Sequence, residues 1–156
     1  MIHETAEVDK TASIGEGTSI WHHAQVREGA VIGKNCNIGK GVYIGKDVTI
    51  GDNCKIQNYA CLFQGVIIED NVFIGPHVCF TNDLYPDALK WSPDRLIQTL
   101  VHSGVSIGAN STILCGNILG ANSMIGAGSV VVKDVFGGTV VSGNPARRMG
   151  ERKDYK

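Results

Sequence analysis

The residues of this chain that could do chemistry gather in one stretch. Between Thr81 and Leu100, TNDLYPDALKWSPDRLIQTL, stand a carboxamide (Asn82), a carboxylate (Asp83), two rings (Tyr85 and Trp91) and two cations (Lys90 and Arg95), with His77 just ahead of them. His77 could serve as a general base, or it is simply an exposed histidine at a turn. Asn82 offers a carbonyl acceptor but cannot itself take up a proton. Asp83 could hold a cation or relay a proton, or it caps a turn in solvent. Lys90 and Arg95 suit a diphosphate or a carboxylate, and are otherwise solvated charges. The rings and two prolines make the segment too apolar and too varied for a disordered linker. A connection of this length inside a small domain is usually functional. It is a substrate-binding wall, an ornamental Ω-loop, or a clasp on a neighbouring subunit.

The remaining candidates thin out quickly. Five cysteines include no CxxC and leave an odd one over, which argues against a secreted disulfide framework. Cys36 and Cys54 are eighteen residues apart, as are Cys61 and Cys79, which makes stacked filler the expectation. Gly29 to Lys34 lacks the spacing of a phosphate-binding P-loop, and Gly126-x-Gly128 lacks the third glycine of a dinucleotide fingerprint.

What positions these residues is a repeat. Stepping by six from Val8 meets an apolar residue thirteen times running to Phe80, then six more times from Val101 to Val131. Glycine or asparagine recurs three residues after many of these positions, as at Gly17, Asn35, Gly41, Asn53, Asn110 and Gly128. Both tolerate positive φ, so each hexad predicts a short strand followed by a sharp corner. The following column is small or β-branched (Ala24, Ala30, Cys36, Val42, Cys54), as an inward residue at a tight corner must be. This is the pattern of a parallel β-helix. It accounts for the 20 glycines among 156 residues and for an aromatic content of only 6%. A net charge of −1 argues against electrostatic coating of nucleic acid or anionic membrane. An apolar fraction of 43% argues against disorder. No apolar run reaches the ~20 residues of a membrane span, and MIHETAEVDK lacks the features of a signal peptide. The expected compartment is the cytoplasm.

The hexads IGKNCN, IGKGVY, IGKDVT and IGDNCK resemble the repeat of the left-handed β-helix acyltransferases. That resemblance implies an all-β chain forming a single domain over residues 1–156. It has about six triangular coils of eighteen residues (8–80 and 101–135), an inserted loop (81–100) and a short C-terminal tail (136–156). It further implies a homotrimer with active sites between subunits. The words IWHHAQVREGAVIGKNCNIG, IGPHVCFTNDLYP, GVSIGANSTILCG, MIGAGSVVVKDV and SGNPARRMG resemble the sugar-nucleotide 3-amino-sugar N-acetyltransferases of that superfamily. The resemblance runs from Ile2 to Gly150. It implies acetylation of the 3-amino group of a dTDP- or UDP-linked hexose, with acetyl-CoA as donor and no metal, for surface polysaccharides such as lipopolysaccharide O-antigen. Many hexapeptide O-acetyltransferases carry a catalytic His-Pro in this loop. Here Tyr85 precedes Pro86, and a hydroxyl is hard to activate without a base. An amine is already nucleophilic when neutral, so the missing histidine favours N-acetylation.

On this reading Asn82 orients the amine, with Asp83 and His77 as the other catalytic candidates. Phe63 and Gln64, eighteen residues below Thr81 and Asn82, line the wall beneath the loop, and Tyr85, Lys90, Trp91 and Arg95 complete it. Trp21 and His22 lie lower, where the resemblance suggests a nucleotide end. Ala109 and Ala127 leave open corners for the pantetheine arm, and Lys133, Arg147 and Arg148 could pair the phosphates of CoA. Arg147 to Lys156 carries five basic and two acidic residues, so positive charge is concentrated at that end. Three alternatives stand beside this reading: an O- or N-acetyltransferase for another small acceptor, a non-enzymatic β-helix scaffold, and a zinc-dependent hydratase like the β-helix carbonic anhydrases. The hydratase needs three histidines on one metal, whereas His22 and His23 lie about three coils, roughly 15 Å, below His77.

Overall fold

The computed structural model describes residues 1–155; Lys156, part of the basic tail, lies outside the described residues. Two-residue strands recur every six residues and stack in parallel on the strand eighteen residues away, as Asn37–Ile38 stacks on Ser19–Ile20 and Lys55–Ile56 on Asn37–Ile38. Three parallel faces result, joined at three corners. The first face runs from Ser19–Ile20 up to Thr139–Ser142, the second from Glu7–Val8 to Val130–Val131, and the third from Ser13–Ile14 to Ile118–Leu119. The first corner joins faces one and two, the second joins two and three, and the third closes the triangle.

Each strand turns its second residue inward. Ile20, Ile38, Ile44, Ile56, Leu62, Ile74, Ile107 and Ile113 are all fully buried, with Phe80 the one aromatic among the largest buried side chains. Burial of such a side chain is worth about 1.5–3 kcal/mol, so the repeated column is the main source of stability. The small column fills the corners: Ala24, Ala30, Cys36, Cys54 and Ala60 are buried, and all five cysteines are free thiols. Positive φ at the corners falls on the predicted Gly and Asn positions, and also on His23, Asp47, Tyr59 and His77.

The structure extends the predicted coils at both ends. Ile2 bridges Ile20 and Leu119 bridges Val135, both in parallel. With these bridges the first face has eight rungs and each of the others seven, just over seven coils instead of about six. The extra rungs escape the hexad count because Ile2 precedes its first position and Val141 follows an irregular spacing. Much of the predicted tail is therefore regular structure. Thr139–Ser142 continues the first face, and Arg147–Glu151 folds back antiparallel on it as a cap. Arg152 fastens the cap through its guanidinium, which donates to the Gly104 carbonyl at 2.5 Å and to Ser106 Oγ at 2.8 Å. The repeat also resumes two residues early after the loop, because Thr99–Val101 already pairs with Val66–Ile68. No helix among the described residues is long and apolar enough to cross a membrane.

Candidate active site

The long loop leaves the prism at the second corner, after the strand Cys79–Phe80. It is closed at its base by two backbone bonds: Ile97 N–H donates to the Asn82 carbonyl at 3.1 Å, and Thr99 N–H to the Gly65 carbonyl at 3.0 Å. Gly65, at φ +100°, lets the corner turn beneath Leu96, where an added Cβ would lie 3.0 Å from the leucine side chain. Inside the loop Arg95 is the organiser. Its Nε donates to Asp83 Oδ2 at 2.9 Å and one Nη to Asp83 Oδ1 at 3.2 Å, a two-point pairing, while its other contacts reach the Tyr85 and Lys90 carbonyls. Arg95 and the Tyr85 N–H hold the Asp83 carboxyl below the ordinary aspartate range. Asp83 and Arg95 thus satisfy each other. In this arrangement the Asp83 carboxylate is held ionised and the Arg95 fork is occupied. Arg95→Ala should leave the β-helix intact but loosen the loop. We expect at least a tenfold loss of activity and new proteolytic cuts confined to residues 83–96.

Asn82, beside this pair, is partly exposed and stands apart from it. Its side chain has no hydrogen-bond partner among the described residues. It borders a hollow of about 210 Å³ lined by Phe63, Cys79, Thr81, Asp83 and Pro86. Gln64 stands one rung below Asn82 at the same corner. Tyr85 and Trp91 extend outward from the loop, 80% and 60% exposed, and Lys90 makes only a 3.5 Å ion pair with Asp87.

His77 lies at the opposite end of the strand from Asn82, at the first corner, where it stacks on Tyr59 with ring centroids 5.2 Å apart. Within one chain the two predicted catalytic groups are therefore not brought together. The first corner instead aligns His77 with Ala109 and Ala127, one rung apart at each step: Asn110 N–H bonds the Pro76 carbonyl and Gly128 N–H the Ala109 carbonyl. Lower on the same corner are Trp21, whose Nε1–H donates to Asn37 Oδ1 at 2.7 Å, and His22. At the top, Lys133, Arg147 and Arg148 do converge, on a cavity of about 290 Å³ that also meets Phe136 and Ala146. Arg148 is paired with Glu151 there, while Arg147 donates to the Ala146 carbonyl.

One cluster was missed from sequence. Glu69 accepts His102 Nδ1–H at 3.0 Å and both the N–H and Oγ–H of Ser103, at 2.9 and 3.0 Å. The Ser103 N–H and His102 keep its carboxyl below the usual glutamate range. The cluster sits at the third corner and pins the strand by which the chain re-enters the helix. Its signal was register: His102 is directly above Glu69, but the loop stretches the eighteen-residue step to 33.

Fold and site together define a β-helix transferase scaffold, a prism of short parallel strands with one binding loop. Comparison with known proteins agrees. The bacterial transferase hexapeptide model (six repeats) matches residues 11–46, 29–64 and 47–82, and the hexapeptide repeat of succinyl-transferase matches 103–133. The chain belongs to the hexapeptide-repeat transferase family. It is 50% identical over 58 residues to the dTDP-3-amino-3,6-dideoxy-alpha-D-galactopyranose 3-N-acetyltransferase of Aneurinibacillus thermoaerophilus, covering 37% of this chain and 30% of that protein. It is 31% identical over 106 residues to the galactoside O-acetyltransferase of Lactococcus lactis, covering 60% and 51%. The chain therefore spans only about 30% and 51% of the length of these two curated relatives. Among solved structures, a hexapeptide-repeat acetyltransferase of Vibrio cholerae complexed with acetyl coenzyme A superposes with a TM-score of 0.66 at 27% identity, covering 79% of this chain and 70% of that one.

Proposed function

We propose that this protein transfers the acetyl group of acetyl-CoA to the 3-amino group of a dTDP- or UDP-linked amino sugar, as a cytoplasmic homotrimer serving surface polysaccharide synthesis. The observation that carries this reading is Asn82, an unpartnered carboxamide at the mouth of a small, mostly apolar hollow. The adjacent Asp83 is already committed to Arg95. Such a site orients a nucleophile without deprotonating it, which an amine allows and a hydroxyl does not. The match to a 3-amino-sugar N-acetyltransferase supports it.

In the reaction the amine nitrogen lone pair attacks the thioester carbonyl carbon while Asn82 Oδ1 accepts one N–H and fixes the direction of approach. The tetrahedral intermediate expels CoA by breaking the C–S bond. The nitrogen loses its proton to the departing thiolate, giving the N-acetyl sugar and free CoA. Catalysis on this scheme is chiefly positioning. The apolar lining of Phe63, Cys79 and Pro86 suits a deoxygenated carbon on the sugar. Arg95 is taken up by Asp83 and offers no free fork for a sugar carboxylate. In the proposed trimer the donor lies along the first corner of one subunit, past Ala109 and Ala127 and with its phosphates toward Lys133 and Arg147, and meets the acceptor held by Asn82 of the adjoining subunit.

Release of CoA thiol, measured with a panel of dTDP- and UDP-linked amino sugars, tests the proposal. No release above background with any amine would refute it, and a preference for hydroxyl acceptors would favour the O-acetyltransferase reading. Lys133→Ala with Arg147→Ala should raise the KM for acetyl-CoA about tenfold, with a weaker salt dependence and little change in the acceptor KM.

A further inference from the structure

We propose that Cys61 and Cys79, side by side on the outside of the second face, form a dithiol site that takes a trivalent arsenical across both sulfurs. The inference rests on the function proposed above only for its effect on turnover.

Two cysteine pairs share a spacing of eighteen residues, and the fold treats them oppositely. Cys36 and Cys54 are the buried filler that their spacing predicts. Each thiol donates to a backbone carbonyl, Cys36 to Gly51 and Cys54 to Glu69, both at 3.1 Å. Cys61 and Cys79 instead hold the outward position of their strands, while Leu62 and Phe80 fill the core. The two strands pair in parallel with Cys61 opposite Cys79. The thiols therefore leave the face in the same direction, their backbones about 4.8 Å apart. Both are free and partly exposed. Their polar contacts are carbonyls at 3.9 Å, Tyr59 for Cys61 and Phe80 for Cys79, and contacts of that length do not hold a thiol in place. Tyr43 below and Thr112 above continue the column without charge.

This arrangement selects among the things two thiols can do. A disulfide wants Cβ atoms about 3.5–4.5 Å apart, and side chains leaving adjacent parallel strands keep the wider strand spacing. A structural zinc site takes four ligands, whereas no group of three or more His, Cys, Asp or Glu among the described residues could hold a metal. Burial pushes both thiols above their ordinary range, and at Cys79 the neighbouring Cys61 adds to the rise. Thiolate is the nucleophilic form, so each cysteine alone is a poor nucleophile. A trivalent arsenic centre meets none of these obstacles. It is thiophilic, its two As–S bonds span more than one S–S bond, and the second closes intramolecularly once the first has formed. With phenylarsine oxide two As–S bonds form, the As=O bond breaks, and both thiol protons leave with that oxygen as water. Arsenic stays trivalent, so no oxidant is consumed. Cys79 also lines the hollow beside Asn82, together with Phe63, Thr81 and Pro86. The bridged phenyl group therefore competes for the space that the acceptor needs.

The test is native mass spectrometry with equimolar phenylarsine oxide, joined to maleimide labelling and peptide mapping of the native protein with and without the arsenical. The expected result is one adduct per chain, with Cys61 and Cys79 protected together. 2,3-Dimercaptopropanol should remove the adduct, and 2-mercaptoethanol at the same thiol concentration should not. Cys61→Ser and Cys79→Ser should each weaken capture about a hundredfold; the mapping on unmodified protein decides the matter if a variant fails to fold. Protection of one cysteine alone, protection of Cys36 and Cys54, or release by the monothiol overturns the proposal. Rapid closure of a Cys61–Cys79 disulfide by diamide overturns the choice of ligand and makes the pair a redox switch. The adduct should block turnover of the acceptor, reversibly with the dithiol, and leave the dissociation constant for CoA unchanged. Because the adduct is read by mass, an absence of acetyl transfer would refute the reaction and leave the site standing. Undiminished transfer by fully adducted protein would separate the pair from the hollow and overturn that link.

Discussion

Replacing Asn82 with alanine is expected to lower kcat for acetyl transfer about a hundredfold while leaving the dissociation constant for CoA unchanged. The magnitude follows from what the residue supplies. A positioning contact at the reacting atom, lost or displaced by about 1 Å, costs on the order of 10²-fold. The asymmetry follows from where it stands, at the second corner against Phe63 and Pro86, whereas Ala109 and Ala127 lie on the first corner. Asn82→Asp is the sharper companion. It keeps the acceptor oxygen but adds a second carboxylate beside Asp83, so it should retain more activity than alanine at high pH and lose that advantage when it is protonated. Steady-state kinetics with a dTDP-linked 3-amino sugar, together with CoA titration, measure both quantities. Wild-type turnover in the alanine variant would remove Asn82 from the mechanism. A matching rise in the CoA dissociation constant would show instead that the donor contacts this corner.

The second large effect is on stability. Phe80→Ala should destabilise the protein by about 3–5 kcal/mol, lowering the midpoint of thermal unfolding by roughly 10 °C at this chain length. Phe80 is completely buried and stacks between Leu62 below and Ile113 above. In a narrow triangular core the neighbouring rungs are fixed by continuous backbone ladders, so the walls have little freedom to close over the space. Phe80→Leu should recover most of the loss. Because Phe80 is two residues ahead of Asn82, the alanine variant should also lose activity at temperatures well below its midpoint. Circular dichroism against temperature at fixed protein concentration checks the first claim. A shift under about 3 °C would mean that the core relaxes more freely than its packing implies.

Much of the fold was legible without coordinates because the information is local. Inward Ile at every sixth position, Gly or Asn at the corner and a small residue after it each follow from the geometry of a single turn. Repetition then makes the pattern unmistakable. Where a corner residue breaks the rule, as Tyr59 and His77 do, no local pattern explains it; the structure shows the two stacked on one another at positive φ. The loop was legible as an interruption, and Asn82 within it as a candidate, but Asp83 and Arg95 read as two independent functional groups. Twelve residues separate them in a segment with no period, and nothing in the residue types announces that one neutralises the other.

The distinction has one physical cause. Strand, corner and core are decided by forces acting within a hexad and its copies, so the sequence alone determined that this chain is a parallel β-helix carrying a single long loop. Charge, pairing and access depend on which residues meet in space. The coil brings residues together in steps of eighteen, and after the loop in steps of 33, as with Glu69 and His102. Inside the loop, which has no such step, only the folded path of the chain decided that Asp83 is spent on Arg95 and that Asn82 is left free, because no local rule relates residues twelve apart without a period.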